Sequence, residues 1–375
     1  MSETMTASQT TTKIPVTATF PVNEKKISPD YVRLSGASAM ALRLVSGRFT
    51  RPFEFGGINL LLNYEQGCFS DCSYCGLART RPGNYEDKSF IRVDWPLLET
   101  DLVVDRMAKY HDKLTRLCIS MVTHGSSYRD TVDITERIAV KVKTPMSILV
   151  APPTLNYDRL KHFKEIGVDM IGVGLDAVTE DLFLKHRTNV PNGGLRWDNY
   201  QNVIEWSREL FGPWKVNIHT LVGLGETDRD LIDLFYNLKD RQILAYLFCF
   251  NPEPDSRLAE HPKSSITRWR RIQLIKTLIE EHEFPKDRIT FDDAGDVIRL
   301  KANNLKIEKL INQVVNQGVA FMTNGCPGEN GEPGCTRPYG SYKPSEPYRD
   351  YPFRPNESDL QIVQHQLNLA ELLKG

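Results

Sequence analysis

From residue 58 to residue 322 the chain alternates between short, continuous apolar runs and longer segments with a helical period. The apolar runs fall at 58–63 (INLLLN), 117–122 (LCISMV), 146–150, 170–175 (MIGVGL), 215–222 (KVNIHTLV), 245–250 (AYLFCF), 289–291 and 319–322. Helical periods separate nearly all of them, with 97–111 and 297–315 among the predicted helices. Runs that are apolar throughout, rather than at every second residue, suit a parallel sheet covered by helices on both faces. Eight such units are the count of a (β/α)8 TIM-type barrel, and a doubly wound open sheet satisfies the same periodicity. The predicted class is α/β, with functional loops at the C-terminal ends of the strands. Residues 1–28 are Thr- and Ser-rich without a period and are predicted to be disordered. Residues 29–322 are assigned to the barrel, led in by a helix over 31–44. Residues 323–375 form a C-terminal tail, a Cys-, Gly- and Pro-rich loop followed by a closing helix.

Charge and composition exclude some function classes. A formal net charge of −1 lacks the basic excess of a nucleic-acid-binding chain. No apolar run approaches the roughly 18–20 residues needed to cross a bilayer, and residues 1–28 contain no signal-peptide core. A cytoplasmic protein is expected. Its cysteines number seven, at 68, 72, 75, 118, 249, 326 and 335. An odd number with three crowded together reads as metal ligation rather than as a disulfide framework.

The crowded three lie in Gly67-Cys68-Phe69-Ser70-Asp71-Cys72-Ser73-Tyr74-Cys75-Gly76, just past the first apolar run, where an α/β fold places its active site. The spacing C-x3-C-x2-C lets one tight loop aim three thiolates at one point. Most [4Fe–4S] clusters take four cysteines, so three leave one iron open, the general mark of a catalytic metal site. A zinc site completed by a distant histidine such as His124 is the alternative, although zinc sites usually pair C-x2-C with a second such pair. At this spacing the segment resembles the radical S-adenosylmethionine (SAM) superfamily, whose signature is these three cysteines with an aromatic residue before the last. Tyr74 fills that aromatic position. The resemblance implies a [4Fe–4S] cluster on Cys68, Cys72 and Cys75, with SAM chelating the open iron and Tyr74 against the adenine. It further implies reductive cleavage of SAM to methionine and a 5′-deoxyadenosyl radical that removes a hydrogen atom from an unactivated carbon.

Within that superfamily the chain resembles the biotin synthase and lipoyl synthase group over roughly residues 56–338. Asp176, in Gly172-Val173-Gly174-Leu175-Asp176, matches an acidic residue that binds the SAM ribose. Arg187 matches an arginine near the SAM carboxylate, which a guanidinium can hold through two parallel hydrogen bonds. The run ending Val222-Gly223-Leu224-Gly225-Glu226-Thr227 resembles a SAM-binding motif, and Glu226 can also cap the following helix. Each of these charges, taken singly, also suits a surface loop. Arg116-Leu117-Cys118 resembles a segment carrying a ligand of a second cluster in biotin synthase. The third run has no cysteine, however, and Asn217 stands where another would be expected, so Cys118 and Cys249 are read as core residues. Cys326 and Cys335, followed by Arg337-Pro338-Tyr339, resemble a tail that helps to ligate an auxiliary Fe–S cluster in two-subunit lipoyl synthases. Two cysteines are too few for an all-thiolate cluster, and a structural Gly-Pro loop is the alternative. The implied reaction is oxidation of an unactivated C–H group, with sulfur insertion and a non-catalytic metal-binding role as alternatives. The chain as a whole also resembles chlorin-ring methyl oxidases related to this group, which implies a chlorin as the small-molecule substrate. An electron donor, ferredoxin or flavodoxin, is the implied protein partner.

Overall fold

The computed structural model describes residues 25–49, 51–85, 88, 93–187, 195–302 and 305–374. The segment expected to be disordered lies outside these residues up to 24. From Lys25 the chain is placed, and Ser28 is buried with its hydroxyl accepting from the Asn63 amide at 3.0 Å. The chain then runs through β1 (Tyr31–Leu34), α1 (Gly36–Ala41), β2 (Gly57–Leu62), β3 (Leu97–Glu99) and α2 (Thr100–Lys109). Strands and helices alternate through β4 (Arg116–Ser120), α3 (Ser127–Lys141), β5 (Met146–Val150), α4 (Tyr157–Glu165) and β6 (Met170–Asp176). They continue through α5 (Glu180–Arg187), α6 (Trp197–Phe211), β7 (Val216–Val222), α7 (Asp228–Asp240), β8 (Leu244–Cys249) and α8 (Ile266–His282). A hairpin, β9 (Ile289–Phe291) and β10 (Val297–Leu300), precedes α9 (Leu305–Gln317), and α10 (Glu357–Leu367) and α11 (Leu369–Leu373) end the chain.

Among the described residues eight strands form one sheet, in the order β3-β1-β2-β4-β5-β6-β7-β8. The steps from β2 through β4 to β8 are all parallel, and every residue of β2 is buried, as the uniformly apolar run predicts. The α/β fold on a parallel sheet is therefore present. Its eight strands differ from those expected. Tyr31–Leu34 is a strand rather than the start of a helix: its aromatic and β-branched residues pair with β2 and β3, and Ser35 then caps α1 by accepting from the Ser38 amide. Leu97–Glu99 is strand because it pairs antiparallel with β1. Ile289–Phe291 instead turns back on Val297–Leu300 as a separate antiparallel pair, which also removes 297–300 from the expected helix. Val319–Phe321 is a single 3-10 turn, set off from α9 by Gly318 at φ 73°.

The sheet curls. Leu61, Ser120, Leu149, Gly174, His219 and Phe248, one from each parallel strand, line a single cavity. Six strands spaced about 4.8 Å apart span roughly 24 Å when flat and could not otherwise converge so. Edge strands β3 and β8 are not paired with each other, and the tail loop packs into the barrel from inside. The Thr115 hydroxyl donates to Gly334 O (2.8 Å), the Asn217 side-chain amide to Cys326 Sγ (3.5 Å) and the Cys335 thiol to Asn59 Oδ1 (3.5 Å). The Cys249 amide donates to Ser341 Oγ at 3.1 Å, so the loop reaches from β2 to β8. The approach is close at Gly325, where a Cβ would stand 1.9 Å from Cys335 O. Because the clash is with backbone, Gly325→Ala is expected to cost about 1–3 kcal/mol, read as a lower denaturant midpoint at unchanged slope.

Candidate functional site

The three-cysteine loop follows β2 directly, and its shape is held by groups that are not cysteines. Gly67 takes φ 69° with the Tyr85 ring 2.5 Å from where its Cβ would be, so any other residue would have to displace the ring. The Phe69 amide donates to Thr123 O (2.7 Å) and the Ser70 hydroxyl to Thr123 Oγ1 (2.7 Å), fastening the loop to the end of β4. Asp71 is buried; it accepts from the Thr80 amide (3.1 Å) and hydroxyl (2.7 Å) and pairs with Arg257. Those donors hold its carboxyl below the usual range against the opposing effect of burial. On the other side, the Ser73 amide donates to His186 O (2.8 Å) while its hydroxyl meets His186 Nδ1 at 2.8 Å. His186 Nε2 lies 3.0 Å from the carbonyl of Leu224, which can only accept. Nε2 therefore carries the proton, Nδ1 accepts from Ser73, and burial keeps this ring neutral by lowering its pKa.

Cys68, Cys72 and Cys75 all line the cavity enclosed by the strand ends, together with Tyr74, Asp176 and Arg187. Burial raises the Cys72 thiol, with Arg187 in hydrogen-bonding reach opposing it. Burial, then the neighbouring Cys72 and Cys68 sulfurs, push Cys75 well up, and the Leu77 amide donates to its sulfur at 3.4 Å. Among the described residues no three His, Cys, Asp or Glu side chains converge closely enough to hold a single metal ion. His124, the suggested zinc ligand, instead stacks on Tyr64 with ring centroids 3.8 Å apart.

Tyr74, Asp176 and Arg187 form one connected group. The Tyr74 hydroxyl donates to Asp176 Oδ2 at 2.5 Å, and Arg187 Nη1 lies 3.4 Å from the same carboxylate. Asp176 sits where the β6–β7 register shifts, at φ 61°, which turns it out of the strand towards Tyr74. Arg187 donates to the carbonyls of Gly174 and Leu175 (the latter 2.8 Å) and to the Tyr200 hydroxyl (3.0 Å). It thus braces the end of β6. Glu226 is placed differently. Its oxygens accept from the Gly223 (2.8 Å) and Leu224 (2.9 Å) amides, it pairs with Arg268 at 3.0 Å, and it does not line the cavity. It shapes the Gly-Leu-Gly turn, while Thr227 and Asp230 form the capping box of α7.

Cys326 and Cys335 do not join Cys68, Cys72 and Cys75. They lie inside the barrel near Cys118, which the sequence assigned to the core; burial first, then Cys335 and Cys326, push its thiol up to about 12. Burial also pushes Cys326 up to about 11. Three further cavity residues were not picked out as site residues from the sequence: His219, Asn251 and Arg337, the last read only as part of the tail pattern. Burial, then Arg337, pushes His219 down to about 3, and both polar atoms of the Asn251 side chain are buried without a partner. Only the folded sheet brings them to the cysteine loop.

Residues 62–235 match the Radical SAM superfamily. The chain carries a radical SAM domain. This family uses a [4Fe–4S] cluster and SAM, and C-x3-C-x2-C lies inside the matched span. An uncharacterized protein of Methanocaldococcus jannaschii is 25% identical over 226 residues, covering 58% of this chain and 54% of its own. Biotin synthase of Saccharopolyspora erythraea is 23% identical over 215 residues, covering 56% of each. The chain thus spans about half the length of the curated relatives it matches. Among solved structures, the FeFe-hydrogenase maturase HydG from Carboxydothermus hydrogenoformans aligns over 89% of this chain and 70% of its own, with 15% identity and a TM-score of 0.44.

Proposed function

We propose that this radical SAM protein oxidises an unactivated C–H group, with the C-7 methyl of bacteriochlorophyllide c, taken through hydroxymethyl and hydrated aldehyde to formyl, as its substrate position. The observation that carries the reading is one cavity that gathers Cys68, Cys72, Cys75, Tyr74, Asp176 and Arg187 on the same wall. Cys68, Cys72 and Cys75 would hold the cluster. Bound there, cluster and SAM supply hydrogen-atom abstraction, and each oxidation balances as one SAM and one water giving methionine, 5′-deoxyadenosine, a proton and the hydroxylated carbon.

The chain's own part is to position SAM and the substrate. Asp176 is the ribose-binding residue of this reading: Oδ2 is taken by Tyr74, while Oδ1 accepts no hydrogen bond from the described residues. Asp176→Asn is expected to weaken SAM binding about 10- to 100-fold without changing the far-UV spectrum, measured by equilibrium dialysis. Leu61, Leu149, Leu221 and Phe248 make the substrate side apolar. Around the outer edge of Cys68, Lys25, Lys26, Arg79, Arg81 and Lys88 border a second hollow. Such a basic rim supports an acidic electron donor, ferredoxin or flavodoxin, docking where the cluster comes nearest the surface.

The reading is tested by incubating the reconstituted, reduced protein with SAM and bacteriochlorophyllide c and following product mass and absorption. A gain of one oxygen followed by a formyl product supports it, and an unchanged chlorin with SAM consumed removes it. One observation favours sulfur insertion into an octanoyl chain instead: Cys118, Cys326 and Cys335 lie within electrostatic reach of one another, a grouping suited to an auxiliary cluster. That reading predicts loss of cluster sulfide and a thiolated product.

A further inference from the structure

Five arginines of the described chain are buried: Arg33, Arg116, Arg187, Arg270 and Arg337. Four donate to named acceptors, Arg187 through its two Nη atoms while its Nε is left bare. Arg33 donates to Trp95 O and Lys88 O, Arg116 to Pro327 O and Asp169, Arg187 to Gly174 O and Leu175 O, and Arg270 to Tyr348 O and Gln366. Arg337 alone has no hydrogen bond and no ion pair among the described residues, although it is only 7% exposed. Its Nε is buried without a partner, and its guanidinium lies over the Phe248 ring, 5.1 Å from the centroid. Buried charges are otherwise paired, so a guanidinium left bare in a site marks a place for an anion from outside the chain.

The groups of the described chain that act on the Arg337 charge are the thiols of Cys335 and Cys118. Arg337 and Gly340 of the tail loop both line the cavity. Neighbouring His219 is neutral. Of the acids that line the same cavity, Asp176 is engaged by Tyr74 and Arg187, and Glu253 stands by Cys75. The rest of this wall is apolar, with Leu149, Leu221 and Phe248. Among the described residues the site has one bare cation beside an apolar enclosure.

We infer that Arg337 anchors a carboxylate on the substrate, so that the enzyme takes an amphipathic acid: an apolar body held between the strands with its acid group on the tail loop. The inference rests on the reading of this cavity as the active site, and it names the substrate's chemistry rather than one compound. A guanidinium meets a carboxylate through two parallel hydrogen bonds, which fixes orientation as well as affinity. Anchored there, the substrate presents a defined carbon to the cysteine-lined end.

The experiment compares two acid–ester pairs on the cluster-loaded full chain with SAM: bacteriochlorophyllide c against its propionate methyl ester, and octanoate against methyl octanoate. Binding is followed by chlorin absorption and by calorimetry in wild type, Arg337→Gln and Arg337→Lys. Wild type is expected to prefer the acid of at least one pair by about 10- to 100-fold. Arg337→Gln should lose that preference with ester affinity unchanged, and Arg337→Lys should keep part of it. If only the octanoate pair shows this pattern, the anchor stands and the chlorin reading falls. Chlorin binding that ignores the propionate ester overturns the anchor and leaves the chlorin reading, unless the octanoate pair discriminates. Binding of none of the four ligands, or loss of iron in Arg337→Gln with discrimination intact, also overturns the anchor.

Discussion

The triple variant Cys68→Ala, Cys72→Ala, Cys75→Ala is expected to fold, to bind no SAM-responsive cluster, and to cleave no SAM above background. It should fold because the loop is fastened by other groups: the Phe69 amide to Thr123 O, Ser73 to His186, and Asp71 to Thr80 and Arg257. None of these is touched. The loss should be far beyond the roughly 10- to 100-fold seen when a residue that merely supports a metal ligand is removed, since here the proposed ligands themselves go. Iron and sulfide analysis, EPR of the reduced protein with and without SAM, and chromatography of methionine and 5′-deoxyadenosine give three independent readouts. The double variant Cys326→Ala, Cys335→Ala is the control, expected to retain a signal that shifts with SAM. A SAM-responsive signal surviving in the triple variant would sink the assignment of these cysteines.

The cysteine loop was legible in the sequence because its chemistry is local: three thiols and Tyr74 fall within eight residues after an apolar run. Asp176 and Arg187 were singled out for a related reason, one ending β6 and the other ending α5, and the fold brings both to the cavity of the cysteine loop. Glu226 was singled out as well, but its contacts in the turn could not be read. A glutamate between glycines and a helix start reads as a ligand or a cap, and only the folded turn shows it accepting from the Gly223 and Leu224 amides. Arg337 and Cys118 were unreadable as a pair, being far apart in the chain and joined when the tail enters the barrel. The strand count went astray where elements are three or four residues long. Tyr31–Leu34 and Leu97–Glu99 are too short to show a period, and their partners across the sheet make them strands.

What seats the tail, and with it Arg337, is Arg116, and removing that residue should release the loop without unfolding the barrel. Arg116 begins β4 with its side chain 2% exposed. Nε and Nη2 both donate to Pro327 O, at 2.8 Å for Nε, while Nη1 pairs with Asp169. Arg116→Met keeps the bulk and removes all three bonds. Asp169 is 31% exposed and retains Lys215 at 3.6 Å, so it is not stranded as a bare buried charge. The lost contacts to Pro327 O dominate, and a cost of about 3 kcal/mol follows from hydrogen bonds that carry a charged donor. In a chain of 375 residues that lowers Tm by only about 4 °C. The larger effect is local: hydrogen exchange at the Gly334 and Cys335 amides, which donate to Cys326 O, should accelerate, while β4 and β5 stay protected. Arg116→Lys should behave much like Arg116→Met, because an ammonium cannot bridge Pro327 O and Asp169 in the same plane. Unchanged exchange at both amides in Arg116→Met would show that the tail is held by its other contacts, with Thr115, Asn59 and Asn217 sufficient to keep Arg337 at the cavity.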